Sequence, residues 1–220
     1  MIKGVDRSHL NSKIALASLV KEEIGFIWFK ATQGETYKDP TFNAAWQEVK
    51  TMRGNLSGQL MKHGGYHFFD PRCGGIAQAD NYLSMAINFS LPGCLPPCVD
   101  VEDLVGTDKA DTILQNKWVA DNWELALQRL LDFLNYIKQK TGKNCIIYTY
   151  NSYFKQYFHG KHFPYNAMWL SSLQKTCPKR YDTGTLPIFW QNTYNWNNTD
   201  MDGNLFTGSI TELNALANII

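Results

Sequence analysis

Leu95-Pro96-Pro97-Cys98-Val99-Asp100-Val101-Glu102 is an apolar stretch that ends in two acids two residues apart. Read as a strand over Leu95–Val101, it delivers Asp100 and Glu102 to its C-terminal end. Alternate side chains of a strand share a face, so both carboxylates look into one space while Val101 turns away. The polar segment Asp103–Asp111 follows. A helix is then predicted over Trp118–Lys140, where Trp118, Asn122, Leu125, Leu130, Phe133, Leu134 and Ile137 recur at helical spacing. Thr141-Gly142 ends it, and Asn144–Thr149 reads as the next strand.

The same alternation runs outward in both directions. Ile2–Asp6 is a strand, Leu10–Glu23 a helix, and Gly25 stops that helix. Phe26–Lys30 is a continuous apolar run with a polar end, which suits a strand buried on both faces. Pro40–Lys50 reads as a helix with Asp39 as its N-cap and Pro40 in its first position. Gly64–Phe69 is a strand, and Ile76–Asn88 a helix with Ala77, Leu83 and Ile87 on its apolar side. Downstream, Ala167–Ser171, Pro187–Gln191 and Met201–Phe206 are strands with few helical signals between them. This order predicts an α/β fold with a mainly parallel sheet of about eight strands. It points to a modified, irregular β/α barrel of the TIM type. No linker, repeat or composition shift divides residues 1–220, so one domain is expected. In such barrels the loops beyond the C-terminal strand ends carry the active site.

Composition narrows the function classes. With 21 Lys and Arg against 20 Asp and Glu, net charge is +1, and no strong field steers the chain onto an anionic polymer. No basic cluster marks a nucleic-acid surface, and no apolar run is long enough to span a bilayer. The first residues already read as strand rather than as a signal peptide, so synthesis in the cytoplasm without an export signal is expected. Five cysteines at irregular spacing make no disulfide framework, and Cys94-x3-Cys98 lacks the second pair of a zinc site. Reduced thiols, no metal and no cofactor are therefore expected. The five histidines show no His-Glu-x-x-His spacing, and there is no phosphate loop and no Gly-x-Ser-x-Gly elbow.

That leaves carboxylates. Two acids as close as Asp100 and Glu102 cannot both ionise cheaply, so one holds its proton to higher pH. A proton-holding carboxyl is what a general acid for glycosidic cleavage requires. Each acid alone has a plainer reading. Asp-x-Glu is a common tripeptide, Asp6 could cap the next helix, and Asp202-Gly203-Asn204 could be a turn. Those readings do not explain why several strand ends carry acids. The aromatic share of 14% fits either a bulky core or a groove that stacks on sugar rings.

Several segments resemble, in order, glycoside hydrolase family 25, the Chalaropsis-type lysozymes. Gly4-Val5-Asp6-Arg7-Ser8 is similar to that family's opening Gly-Ile-Asp-Val-Ser. Lys30-Ala31-Thr32-Gln33-Gly34 resembles Lys-Ala-Thr-Glu-Gly, and Asp39-Pro40-x-Phe42 follows. Gly65-Tyr66-His67-Phe68-Phe69, Gln78-Ala79, Asp100-Val101-Glu102, Ile147-Tyr148-Thr149, Trp169, Trp190-Gln191 and Asp202-x-Asn204-x-Phe206 complete the series. The resemblance implies a modified β/α barrel and hydrolysis of the β-1,4 bond between N-acetylmuramic acid and N-acetylglucosamine in peptidoglycan. It implies Glu102 as general acid and Asp100 as its assistant or the orienter of the N-acetyl group. Asp6 and Asp202 would shape the charge of the site. Tyr66, Gln33, Tyr148, Trp169, Trp190 and Gln191 would bind substrate. Gln33 stands where the family usually has Glu, Arg7 replaces a small apolar residue, and Ser171 and Leu173 depart from its pattern after Trp169. Those departures bear on side-group preference more than on the reaction.

The further expectations are a monomer acting on bacterial glycan strands, without stable membrane association or a separate wall-binding domain. A phage endolysin released to the wall fits them. A non-catalytic glycan-binding protein on the same scaffold and a chitin-directed barrel glycosidase are the alternatives. Decay to a binding protein would be expected to lose Glu102 or Asp6, and a chitin enzyme to carry a longer Asp-rich run before its acid.

Overall fold

The computed structural model describes residues 1–11, 16–53, 60–163 and 165–219. Among them the strands, in chain order, are β1 (Ile2–Arg7), β2 (Phe26–Gln33), β3 (Tyr37–Lys38), β4 (Lys62–Phe68), β5 (Cys98–Asp100), β6 (Ile146–Thr149), β7 (Met168–Ser171), β8 (Phe189–Thr193) and β9 (Asp202–Phe206). β1, β2 and β4 through β8 lie side by side and parallel. β9 runs antiparallel between β8 and β1 and closes the barrel. β3 is a short antiparallel partner hung on the end of β2. The helices are α1 (Leu16–Lys21), α2 (Phe42–Val49), α3 (Gly75–Leu83), α4 (Lys109–Asp121), α5 (Trp123–Thr141), α6 (Asn151–Tyr157) and α7 (Ile210–Leu216). None of the described helices is long and apolar enough to cross a membrane.

The period-two rule sorts the core into two layers. Phe26, Trp28, Tyr66, Trp169, Phe189 and Phe206 fill the barrel interior. Ile27, Phe29, Val99, Val101 and Ile147 face the opposite way and pack with Leu130, Phe133 and Ile137 of α5. Strands buried on both faces read as unbroken apolar runs, which is why β2 was legible. Two glycines permit this packing. A Cβ at Gly64 would lie 2.0 Å from the Trp28 ring, and one at Gly75 would lie 1.9 Å from the Arg129 carbonyl oxygen. The first lets Trp28 fill the barrel and the second lets α3 cross α5 at backbone contact.

Several helix boundaries differ from the sequence reading. The helix predicted over Trp118–Lys140 is two helices that meet at Asn122 (φ −122°), whose Nδ2 donates to the Trp118 carbonyl at 2.8 Å. Leu125 is exposed and Ala126 is buried in its place. α4 begins inside the predicted polar loop, capped by Asp108, which accepts from the Asp111 amide at 2.9 Å. Only Val119 of α4 is buried, so its sequence carries no periodic signal. α2 begins at Phe42, not Pro40. Asp39 does not cap it but accepts from the Thr41 amide and hydroxyl at 2.9 and 2.6 Å and from the His9 amide at 2.9 Å. α3 ends at Leu83 and leaves Ala77 exposed. Its buried side is partly polar: Asn81 Nδ2 donates to the Gly34 carbonyl at 2.9 Å. The helix predicted over Leu10–Glu23 is described only from Leu16, and residues 12–15 lie outside the described chain.

Candidate active site

The C-terminal ends of the parallel strands and the N-terminal end of β9 open on one face. Reversal of β9 brings Asp202 there, paired in register with Asp6 of β1. Asp100 ends β5, and Glu102 lies two residues beyond it, on the same side. A cavity of about 80 Å3 is lined by Asp6, Tyr66, Asp100, Glu102, Tyr148, Trp169, Gln191 and Asp202. It opens into a cleft of about 670 Å3 that adds Lys30, Gln33, Tyr37, Phe68 and Val105, among others.

An amide relay holds the acids of β1 and β9. Asp6 Oδ2 accepts from Gln191 Nε2 at 3.0 Å and from Asn204 Nδ2 at 2.7 Å. Gln191 Nε2 also donates to Asp202 Oδ2 at 3.2 Å, and its Oε1 accepts from the Tyr148 hydroxyl at 2.7 Å. Asn204 Oδ1 accepts from Trp169 Nε1 at 2.8 Å. Trp169 stacks on Trp28 at 5.4 Å and meets Tyr148 edge-on at 4.8 Å. The floor is thus aromatic and the walls are acidic.

Burial and crowding hold protons on this site. Burial, and then the charge of Asp202, push Asp6 up to about 8 against the lowering effect of its amide donors. Burial and neighbouring Glu102 raise Asp100 well above the ordinary range, although Lys30 pulls it down; Asp100 Oδ1 is buried with no hydrogen-bond partner. Burial lifts Glu102 to about 7, opposed by Lys30 and helped by Asp103 and Asp202. Burial brings Asp202 to about 6. Asp202 lies below Glu102 and Asp6, so it is the first of those three to ionise as pH rises.

Of the residues expected from sequence, Asp6, Asp100, Glu102, Asp202, Tyr66, Tyr148, Trp169 and Gln191 meet around the inner cavity. Gln33 stands farther out in the cleft, where it accepts from Lys30 Nζ at 2.6 Å. Trp190 lines neither space. It precedes Gln191 in β8, faces the other way, and its Nε1 donates to the Ser172 carbonyl at 2.7 Å. Two participants were not singled out. Lys30 is a half-buried cation over the Phe68 ring, 4.6 Å from its centroid, facing Asp100 and Glu102. Asn204 ties Asp6 to Trp169. A cation inside an apolar strand and an amide two residues after Asp202 were the available signals. The five cysteines are free, and Cys94, Cys98 and Cys145 are buried.

Solved structures share this architecture. A family 25 glycosyl hydrolase from Bacillus anthracis aligns at a TM-score of 0.77 and 26% identity, covering 98% of this chain and 93% of that one. A bacterial lysozyme from Streptomyces coelicolor aligns at 0.80 and 25%, covering 99% and 97%. In sequence, the N,O-diacetylmuramidase of Chalaropsis is 25% identical over 229 residues, 98% of this chain and 99% of its own length. Lysozyme M1 of Streptomyces globisporus is 27% identical over 238 residues, 99% of this chain and 71% of its own length. The model of glycosyl hydrolases family 25 matches residues 5–201, a span that holds Asp6, Asp100 and Glu102, and the chain belongs to that family.

Proposed function

We propose that the protein is a lysozyme: an N-acetylmuramidase that hydrolyses the β-1,4 bond between N-acetylmuramic acid and N-acetylglucosamine in peptidoglycan. The observation that carries this reading is the convergence of Asp6, Asp100, Glu102 and Asp202 on one aromatic-floored cavity in a family 25 glycosidase. Membership makes the chain a glycosidase, and the relatives named lysozyme and N,O-diacetylmuramidase support a wall glycan as substrate.

Glu102 is the proton donor in this reading. It is half-buried, so burial holds its proton near neutral pH, and it still lines the open cleft that a glycan strand would enter. As the glycosidic C–O bond breaks, the Glu102 proton passes to the leaving oxygen and positive charge grows on the sugar ring. The neighbouring acids supply compensating negative charge, Asp202 most readily because it ionises below Asp6. Water then delivers its hydroxyl to the anomeric carbon, and its proton returns to the carboxylate. Gln191 and Asn204 act through Asp6 and Asp202 by fixing where those acids point.

Mass spectrometry of muropeptides after digestion tests the assignment. New reducing ends on muramic acid are expected. Reducing ends on glucosamine would overturn it. Binding without any cleavage would favour a glycan-binding protein on the same scaffold.

A further inference from the structure

Glu102 lies in a short gap between two sets of restraints. On one side the Val101 amide donates to the Tyr148 carbonyl at 2.9 Å, the last bond to the sheet. On the other, the Leu104 amide donates to Asn116 Oδ1 at 2.9 Å, and Asn116 Nδ2 donates back to the Leu104 carbonyl at 2.8 Å. Asp103 fills the gap beside Glu102 and turns towards α6. The Tyr150 hydroxyl donates to Asp103 Oδ2. Burial, the charge of Asp103 and a hydrogen bond to it raise the Tyr157 hydroxyl to about 12, and burial with the same charge raises Tyr153. Asp103 Oδ1 is buried with no hydrogen-bond partner, and so is the Tyr153 hydroxyl.

A neutral amide could receive the Tyr150 hydroxyl at a smaller desolvation cost than a buried carboxylate. What the carboxylate adds is charge, next to the residue that must hold a proton. We propose that Asp103 is a positioning residue for the cleavage: anchored on Tyr150, it fixes the backbone that aims Glu102 and holds a negative charge beside that acid. The inference rests on Glu102 being the proton donor.

Other groups also face Glu102. Lys30 of β2 favours its ionised form, whereas Asp202 of β9 and Asp103 favour the protonated one. Asp100 of β5 and Asp6 of β1 belong to the same acidic cluster, and Tyr66 and Tyr148 face it from β4 and β6. Asp103 differs from the other acids in lying outside the inner cavity lining. Its charge can be removed without altering that wall.

Asp103→Asn and Tyr150→Phe test the proposal, with kcat and KM measured on purified peptidoglycan across pH. Glu102 is followed separately by 13C NMR of its side-chain carboxyl. Asp103→Asn is expected to keep its KM and lower kcat several-fold. Its alkaline limb and the Glu102 midpoint should both move to lower pH, by roughly half a unit or more. Tyr150→Phe keeps the charge and loses the anchor, so kcat should fall with no downward shift of the limb. A fall in kcat for Asp103→Asn with the limb and the Glu102 midpoint unmoved would overturn the proposal, and so would parent behaviour throughout. If Asp103→Asn fails to fold, parent kcat and parent Tm in Tyr150→Phe would overturn it. Glu102→Gln separates the two ideas. An active Glu102→Gln removes the proton-donor reading along with this one, whereas an inactive Glu102→Gln beside an unchanged Asp103→Asn removes this one alone.

Discussion

Glu102 carries the prediction with the largest effect. Glu102→Gln keeps shape and polarity but cannot give up a proton. Lysis of purified walls should fall on the order of 10²–10⁴-fold, with an unchanged circular dichroism spectrum. In the proposed role as donor Glu102 must be protonated to act, so kcat/KM should decline as pH rises through about 7, the value to which burial lifts it. A steady-state pH profile checks this, and activity that keeps rising past pH 8 would contradict it. The pairing of Asp100 with Glu102 was legible because strand parity is a local rule. Trp190 was not placed by the same rule because neighbouring Gln191, not Trp190, takes the inward position. Lys30 was read as the polar end of an apolar run. In fact β2 continues to Gln33 through a register shift between Lys30 and Thr32, and Lys30 turns to the acids.

Elements hold these residues through a few close contacts. A Cβ at Gly75 would meet the Arg129 backbone, which cannot rotate aside as a side chain can. Gly75→Ala should therefore cost at least the ~1–3 kcal/mol typical of overpacking, read from the urea midpoint. α7 has a reciprocal cap: Ser209 Oγ accepts from the Glu212 amide at 3.2 Å, and Glu212 Oε2 accepts from the Ser209 amide at 2.7 Å. Ser209→Ala should lose about 1 kcal/mol and leave catalysis unchanged, because α7 lies away from the acids. Element identity was more legible than element ends. α5 shows one apolar stripe and was found, although its start was set five residues too early, at Trp118 rather than Trp123. α4 buries a single residue, so no stripe announced it. The end of α3 was missed because its buried side carries Gln78 and Asn81, whose burial depends on distant backbone partners rather than on local pattern.

Across the whole molecule the acidic cavity trades stability for readiness. Asp6 and Asp202 titrate at about 8 and about 6 in the fold, above the ordinary 3.8. Between those limits the folded chain keeps protons that the unfolded chain has released, so stability falls as pH rises from mildly acidic to mildly alkaline. Asp39 and Asp182 work the other way. Burial would raise them, but hydrogen bonds from Thr41 and His9, and from Arg180, hold them low, so their contribution is lost as pH falls below the ordinary carboxylate range. Maximum stability is therefore expected on the acid side of neutrality. Urea midpoints should decline from pH 5 to pH 8, and Asp6→Asn should flatten that decline; a parent that gains stability over the window would contradict it.

Closure by β9 also sets a timetable for synthesis. Asp6 leaves the ribosome 198 residues ahead of Asn204, which holds its carboxylate. Until that late strand arrives, β1 has β2 on one side and nothing on the other, and the acids have no common wall. A nascent chain halted before Asp202 would carry Asp100 and Glu102 without competence to cut. Such distant pairing is also slow to find, so the activity should appear only once β9 has been made, all at once rather than in proportion to length.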